Sequence, residues 1–182
     1  TVFTGKNFSE IDNPHFLQED LELLRKKSKT FSRKKRGSNN RKKSKKELLD
    51  VYKNISNRRS DWQWKLAHAL CKKFKFIGLE DLNIKSMQMI WGRKISDLAH
   101  SEFVFKLKHV AKKYGTVIQE VDRFYASSKT CSKCQNKKKN LELKERTYHC
   151  DECGYSIDRD RNASINIRKE AVRIYAQIKK TG

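Results

Sequence analysis

Four of the five cysteines fall within 23 residues, as Cys131-x2-Cys134, a gap of fifteen residues, and Cys150-x2-Cys153. Each C-x2-C can close a turn that aims two sulfurs at one tetrahedral ion, and this spacing is that of a four-thiolate zinc site. Two disulfides are the rival reading. They suit a lysine-rich chain without a secretory signal poorly. Cys71 stands alone in an apolar helical pattern and reads as a small buried hydrophobe.

A second kind of chemistry could come from carboxylates at element ends. Glu80 closes the apolar run Phe74–Leu79, and open α/β sheets bind ligands beyond the carboxyl ends of their strands. Asp160 stands just before the expected last helix, where an acid faces the positive end of the helix dipole. Acids gathered from separate elements can hold Mg²⁺, which prefers oxygen ligands and assists phosphodiester hydrolysis. On local grounds alone, a solvated strand-end charge for Glu80 and a plain N-cap for Asp160 are the commoner roles.

The elements that must position these groups follow from patterning. Thr1–Thr4 alternates and predicts a strand ending at Gly5. Asn13-Pro14 predicts an N-cap followed by a first helical residue, with Phe16, Leu17, Leu21 and Leu24 at helical spacing. Thirteen of the 22 residues from Arg25 to Lys46 are Lys or Arg. Gly37-Ser38-Asn39-Asn40 interrupts them, so the segment reads as a basic helical hairpin. Leu48, Leu49, Tyr52, Ile55, Trp62, Leu66, Ala69 and Leu70 give its second helix an apolar stripe that predicts core. A strand over Phe74–Glu80, a helix from about Ile95 to Tyr114 stopped by Gly115, a strand over Thr116–Val121 and a helix over Asn162–Lys179 complete the pattern. Helices and strands alternating around one sheet predict an α/β layered domain, with the cysteine segment as an insert.

The 182 residues carry 43 Lys and Arg against 21 Asp and Glu, a net charge of +22. Such an excess favours a polyanionic partner, nucleic acid first and an acidic membrane surface second; solubility alone is the plainer account. Lys34, Lys35, Arg36, Arg41, Lys42 and Lys43 flank the hairpin turn and are the candidate phosphate contacts. No apolar run approaches the ~18 residues of a membrane span, so no membrane is expected. The opening residues lack a basic start and an apolar block, which predicts no secretory signal. The missing initiator Met suggests a piece of a longer chain. Composition therefore reaches a zinc-bearing nucleic-acid binder and stops short of a reaction.

The motifs carry a resemblance. Phe76-Ile77-Gly78-Leu79-Glu80-Asp81-Leu82-Asn83-Ile84 resembles the second motif of the RuvC-like nuclease domain in TnpB proteins. These are the OrfB products of insertion sequences, relatives of the type V CRISPR effector nucleases. Ser127–Cys134 resembles the family's entry into its zinc ribbon. Cys150-Asp151-Glu152-Cys153-Gly154, followed by Asp158-Arg159-Asp160-Arg161-Asn162-Ala163-Ser164-Ile165-Asn166-Ile167, resembles its exit and the third RuvC motif.

The resemblance implies an RNase H-like (RuvC-like) α/β domain lacking its first strand, with an inserted four-cysteine zinc ribbon and a basic helical hairpin. Its parts would be residues 1–126, with the hairpin at 14–73, the ribbon at 127–157, and the final motif and helix at 158–182. Glu80 and Asp160 would be catalytic acids holding Mg²⁺, with Asp158 a neighbour. Cys131, Cys134, Cys150 and Cys153 would hold structural Zn²⁺. DNA and a guide RNA would be the partners, in the cytoplasm of a bacterium or archaeon, and the intact protein a transposon-encoded RNA-guided DNA endonuclease. The family's first catalytic Asp lies upstream of the segment matching Thr1–Thr4, so the 182 residues alone are expected not to cut. The alternative is a truncated, non-cutting nucleic-acid-binding remnant. Two departures stand out: Ala126 where the family often has Pro, and Gln135 where it often has Gly, which implies a strained turn after Cys134.

Overall fold

The computed structural model describes residues 3–4, 7–8, 11, 14–84, 89, 99–142 and 144–181. In chain order the elements are β1 (Phe3–Thr4), β2 (Asn7–Phe8), α1 (Phe16–Glu19), α2 (Leu21–Ser32), α3 (Asn39–Lys73), β3 (Phe76–Glu80), α4 (His100–Tyr114), β4 (Val117–Val121), β5 (Thr147–His149), β6 (Ser156–Asp158) and α5 (Arg159–Thr181). They divide into a helical unit, residues 13–73 and 84–113, and a mixed α/β unit, residues 1–12, 74–83 and 114–182. Among the described residues no helix is long and apolar enough to cross a membrane.

In the helical unit α2 and α3 pack as the expected hairpin. Gly37 takes φ 82° in the turn, a conformation open to glycine at little cost. The Ser38 hydroxyl accepts the Arg41 N–H at 3.2 Å and caps α3. No Gly or Pro follows until Gly78, and the helix runs for 35 residues. At the other end of the hairpin the expected helix start is displaced. Pro14 lies outside α1, which begins at Phe16 after His15 adopts a left-handed φ of 52°; Asn13 lies outside the described residues.

The apolar stripe of α3 is core only in part. Ile55 and Leu70 are buried, whereas Leu49 and Tyr52 are 54% and 52% exposed. Fully buried Gln63 and nearly buried Lys106 take part in the core instead. Lys106 Nζ donates to Ser60 Oγ at 2.8 Å, to Gln63 Oε1 at 2.9 Å and to Glu102 Oε1 at 2.6 Å. A buried ammonium is tolerable when its donors are matched in this way. Apolar periodicity cannot reveal it. Cys71 is buried, as its surroundings predicted, with Sγ 4.0 Å from the Leu107 carbonyl.

In the mixed unit the expected single sheet does not form among the described residues. The strands make three separate two-stranded ladders: β1 with β2, β3 with β4, and β5 with β6. The outer two are short antiparallel pairs between close neighbours in sequence. Only β3 and β4 pair in parallel, in register from Phe76↔Val117 to Glu80↔Val121. Gly115, with φ 65°, ends α4 as expected and lets β4 start.

The last helix, α5, packs on both β3 and β4. It starts at Arg159, three residues before the expected Asn162, because Asp158 caps it: Asp158 Oδ1 accepts the Arg161 N–H at 2.9 Å. Gly78 sets how closely helix and strand approach. A Cβ there would sit 2.9 Å from Ala171 Cβ. The helix runs back along β3. Tyr175 meets Phe76 edge-on at the start of the strand, and Ala171 and Ile167 meet Gly78 in its middle. Its amino-terminal turn is therefore directed toward the end of the strand where Glu80 lies.

Candidate functional site

The two C-x2-C segments fold as copies of one local turn. The Gln135 N–H donates to the Cys131 carbonyl at 2.9 Å, and the Gly154 N–H to the Cys150 carbonyl at 3.0 Å. The Cys131 N–H donates to Asn136 O at 2.8 Å, and the Cys150 N–H to Tyr155 O at 2.9 Å. Both turns close through a left-handed residue, Gln135 and Gly154, each at φ 66°. The strain expected at Gln135 is thus present, and its side chain answers it: Nε2 donates to the Cys131 carbonyl at 3.1 Å.

These turns bring all four sulfurs within 4.8 Å of one another. Cys131 and Cys153 Sγ are 3.8 Å apart, and Cys134 and Cys150 Sγ 3.6 Å. Four sulfurs placed tetrahedrally at ~2.3 Å from one ion are about 3.8 Å apart, so the cluster has the dimensions to hold a metal ion. The separations exceed the ~2.05 Å of a disulfide, and all four cysteines are free. Backbone amides, that of Cys153 first and then that of Glu152, hold the Cys150 thiol down to about 7. Fully buried Tyr148 fills the space behind Cys131 and Cys150, with Leu141, Tyr155 and Ile157 around it.

Polar residues of α5 fasten this segment. Fully buried Asn162 accepts the Ser132 N–H at 2.9 Å and donates to the Thr130 carbonyl at 2.7 Å. Fully buried Asn166 donates to the carbonyls of Ser127 at 2.9 Å and Thr130 at 2.6 Å. Lys169 Nζ reaches the Ser132 carbonyl at 2.6 Å. Sequence reasoning missed these roles. The only local signal is a pair of Asn at i and i+4, which places both on one helix face.

The two candidate acids sit differently. Glu80 ends β3, half-buried, and burial pushes its carboxyl above the usual range. Asp160 is the second residue of α5; Asp158 takes the cap. Two guanidiniums stand near Asp160: Arg159 Nε at 3.4 Å and Arg146 Nη1 at 4.0 Å. Other acids crowd the carboxyl end of the strand pair. Asp81, which Arg123 grips, joins Glu120, Val121, Asp122 and Ile174 in lining an open depression. Among the described residues the four cysteines are nonetheless the one group of three or more His, Cys, Asp or Glu side chains close enough to share an ion.

The hairpin cations divide in two. Lys34, Lys35, Arg36, Lys42 and Lys43 are exposed. Arg41 is part of the fold: its guanidinium lies 4.3 Å from the Phe31 ring centroid and donates to the carbonyls of Phe31 at 3.3 Å and Lys34 at 2.9 Å.

Two family models match the chain in order. The family described as "Probable transposase" (OrfB_IS605) covers residues 1–90, and "Cas12f1-like, TNB domain" covers residues 100–167. The chain is 35% identical over 169 residues to a "Putative RNA-guided DNA endonuclease" of Streptomyces pristinaespiralis, across 92% of this chain and 41% of that protein. It is 33% identical over 144 residues to "TnpB-like protein L79" of Acanthamoeba polyphaga mimivirus, across 75% of this chain and 27% of that protein. The chain therefore spans less than half the length of these relatives. A chain of the structure described as "Cryo-EM structure of the Cas12f1-sgRNA-target DNA complex" shares its fold, with a TM-score of 0.56 at 22% identity, over 81% of this chain and 42% of that one. The first match spans the motif ending in Glu80, the second spans the cysteine cluster and Asp160, and the chain belongs to the TnpB family.

Proposed function

We propose that this chain is the carboxyl-terminal nuclease region of an RNA-guided DNA endonuclease, built on an RNase H-like domain with a zinc ribbon. The observation that carries this reading is the direction of α5 against β3. It turns the amino end of the helix, with Asp160, toward the strand end that bears Glu80. The two residues are eighty apart in sequence, and both come from the segments by which the chain resembles its relatives.

In this reading Glu80 and Asp160 hold Mg²⁺, an ion that their carboxylate oxygens suit. The ion would supply Lewis-acid stabilisation at the scissile phosphate. Glu80 must be ionised to serve, and its burial keeps the proton on longer than for an exposed Glu. Asp160 lies in the first turn of α5, at the positive end of the helix dipole, with Arg146 and Arg159 beside it. Cys131, Cys134, Cys150 and Cys153 hold Zn²⁺ that keeps the ribbon, residues 127–157, folded. The exposed lysines and Arg36 of the hairpin meet phosphates of DNA or guide RNA without reading sequence.

One observation favours a second, narrower role for the 182 residues by themselves. Among those described, no three acidic side chains lie close enough to share an ion; in this narrower reading the isolated chain binds nucleic acid and does not cut it. The test is a cleavage assay with Mg²⁺ on this chain and on a version extended upstream and supplied with its guide. The extended protein should cut, and Glu80→Gln or Asp160→Asn should each lower its rate about a thousandfold while leaving binding within about twofold. Full activity in either variant, or robust cutting by the isolated chain, would sink the assignment.

A further inference from the structure

Just past β4 the chain makes a tight turn, Asp122-Arg123-Phe124-Tyr125, that is fastened on nearly every side. Asp122 Oδ1 accepts the Phe124 N–H at 2.7 Å, and the Asp122 carbonyl accepts the Tyr125 N–H at 3.0 Å. The Ser127 N–H closes onto the Tyr125 carbonyl at 2.7 Å. Arg123 reaches across to Asp81 with Nε at 2.9 Å. Tyr125 is partly buried near Glu170 and Arg173 of α5, its phenol pushed above its usual range by burial first and by Glu170 second. Phe124 alone is left out: 86% of it is exposed.

Single exposed apolar side chains are ordinary on protein surfaces. Two things set this one apart. The ring stands on a turn whose backbone and neighbouring side chains are tied down, so the point from which it projects is held in place. It also stands two residues past Asp122, whose Oδ1 holds its N–H, just beyond the carboxyl end of β4, where Asp81, Glu120 and Asp122 line an open depression. Asp81 is paired with Arg123, and the carboxylates of Glu120 and Asp122 repel a phosphate backbone. A nucleobase is uncharged, and its face stacks on an aromatic ring. A single strand crossing this end of the sheet is therefore held more favourably by a base than by its phosphates. The cations that would take the phosphates lie further along the chain, where Lys133, Lys137 and Lys139 of the ribbon are exposed.

We propose that Phe124 is a stacking platform for one base of a single-stranded nucleic acid passing the carboxyl end of β3 and β4. The proposal rests on the reading of that end as the cutting site, and it concerns grip rather than chemistry. Base–aromatic stacking is worth ~1–3 kcal/mol per base, which corresponds to about 5- to 150-fold in affinity.

The test measures binding of the zinc-loaded chain to a fluorescent DNA strand of about 15 nucleotides and to a strand of equal length built only of abasic sites. Phe124→Ala should weaken binding to the normal strand about fivefold or more and leave the abasic strand unaffected. Phe124→Trp should bind at least as well as the native protein. Phe124→Leu, apolar but unable to stack, should behave like Phe124→Ala. A 2-aminopurine probe in the strand should be quenched by the native chain and not by the Ala variant. Equal binding by native and Ala proteins, equal loss on both strands, or a Leu variant as good as Phe would overturn the proposal. Melting curves of the variants should coincide with the native one, since the ring is exposed; a lowered melting point for Phe124→Ala would make the residue structural and would also overturn it. Failure here leaves the Glu80 and Asp160 cleavage test untouched, because that test reads turnover.

Discussion

The cysteine ribbon and the carboxyl end of the parallel strands are two sites made in opposite ways. The ribbon builds its cluster from two copies of a short turn, each closed by its own backbone hydrogen bonds and a left-handed residue. Every ligand lies within 23 residues. Glu80 closes β3 and Asp160 lies in the first turn of α5, and how the two stand to one another depends on a strand pairing, a helix crossing and a glycine that lets strand and helix approach. A site made locally can be lost without disturbing the rest of the fold. A site made by packing changes whenever the packing does.

The largest effect that would test this contrast is removal of the metal proposed for the cysteines. Structural zinc contributes about 10–16 kcal/mol of apparent folding energy in small metal-bound domains, and the ribbon has little core beyond Tyr148 and its neighbours. Chelation, or Cys150→Ser, should expose the amides of β5 and β6 to rapid hydrogen exchange while β3 and β4 stay protected. Protection of Tyr148 after complete chelation would show that the ribbon folds without metal. Loss of protection in β3 would show that the two sites are not independent.

The link between the regions is the polar face of α5. Asn162→Ala leaves the buried Ser132 N–H without its acceptor, while the Thr130 carbonyl keeps Asn166 Nδ2 at 2.6 Å; the orphaned N–H costs about 1–3 kcal/mol. Denaturant melts should show that destabilisation with the metal content unchanged. If the variant loses metal instead, the helix helps to build the cluster and the ribbon is less local than its turns imply.

Gly78→Ala probes the packed site. Its new Cβ would crowd Ala171 Cβ at 2.9 Å, an overpacking expected to cost about 1–3 kcal/mol. Ala171→Gly in the same protein should recover most of the loss. Absence of rescue would place the strain elsewhere.

The smallest effect concerns Glu80. Its folded carboxyl is raised by burial, so above both folded and unfolded pKa values the folded state carries a desolvation cost that Gln avoids. Glu80→Gln should therefore melt about 1–3 °C higher than the native chain at pH 7 without divalent cations. The gap should close as pH falls below the unfolded pKa of a Glu, where both states are protonated. A gap unchanged at acid pH would mean that the effect is not electrostatic. Added Mg²⁺ should narrow it by binding only the native carboxylate.

Much of this was legible in the residues themselves. The C-x2-C pairs, the basic hairpin with Gly37 at its turn, the strand ending at Glu80 and the stop at Gly115 all follow from short-range rules: ligand spacing, capping, and the freedom of glycine at positive φ. These features depend on a few neighbouring residues, so the sequence determines them directly. The strain at Gln135 came instead from the resemblance to a family that often has Gly at that place.

Tertiary structure decided the rest. Asp158 rather than Asp160 caps α5, because the chain turns into the helix one residue after β6 pairs with β5. Gln63 and Lys106 lie in the core while Leu49 and Tyr52 face solvent, because burial depends on which faces meet and on whether an ammonium finds acceptors. Among the described residues three ladders form where one sheet was expected, since pairing is settled by which strands come together. Asn162 and Asn166 look like ordinary polar helix residues until the carbonyls of Ser127 and Thr130 are brought over them. Each of these outcomes rests on contacts between segments distant in sequence, whose free energy no local pattern contains.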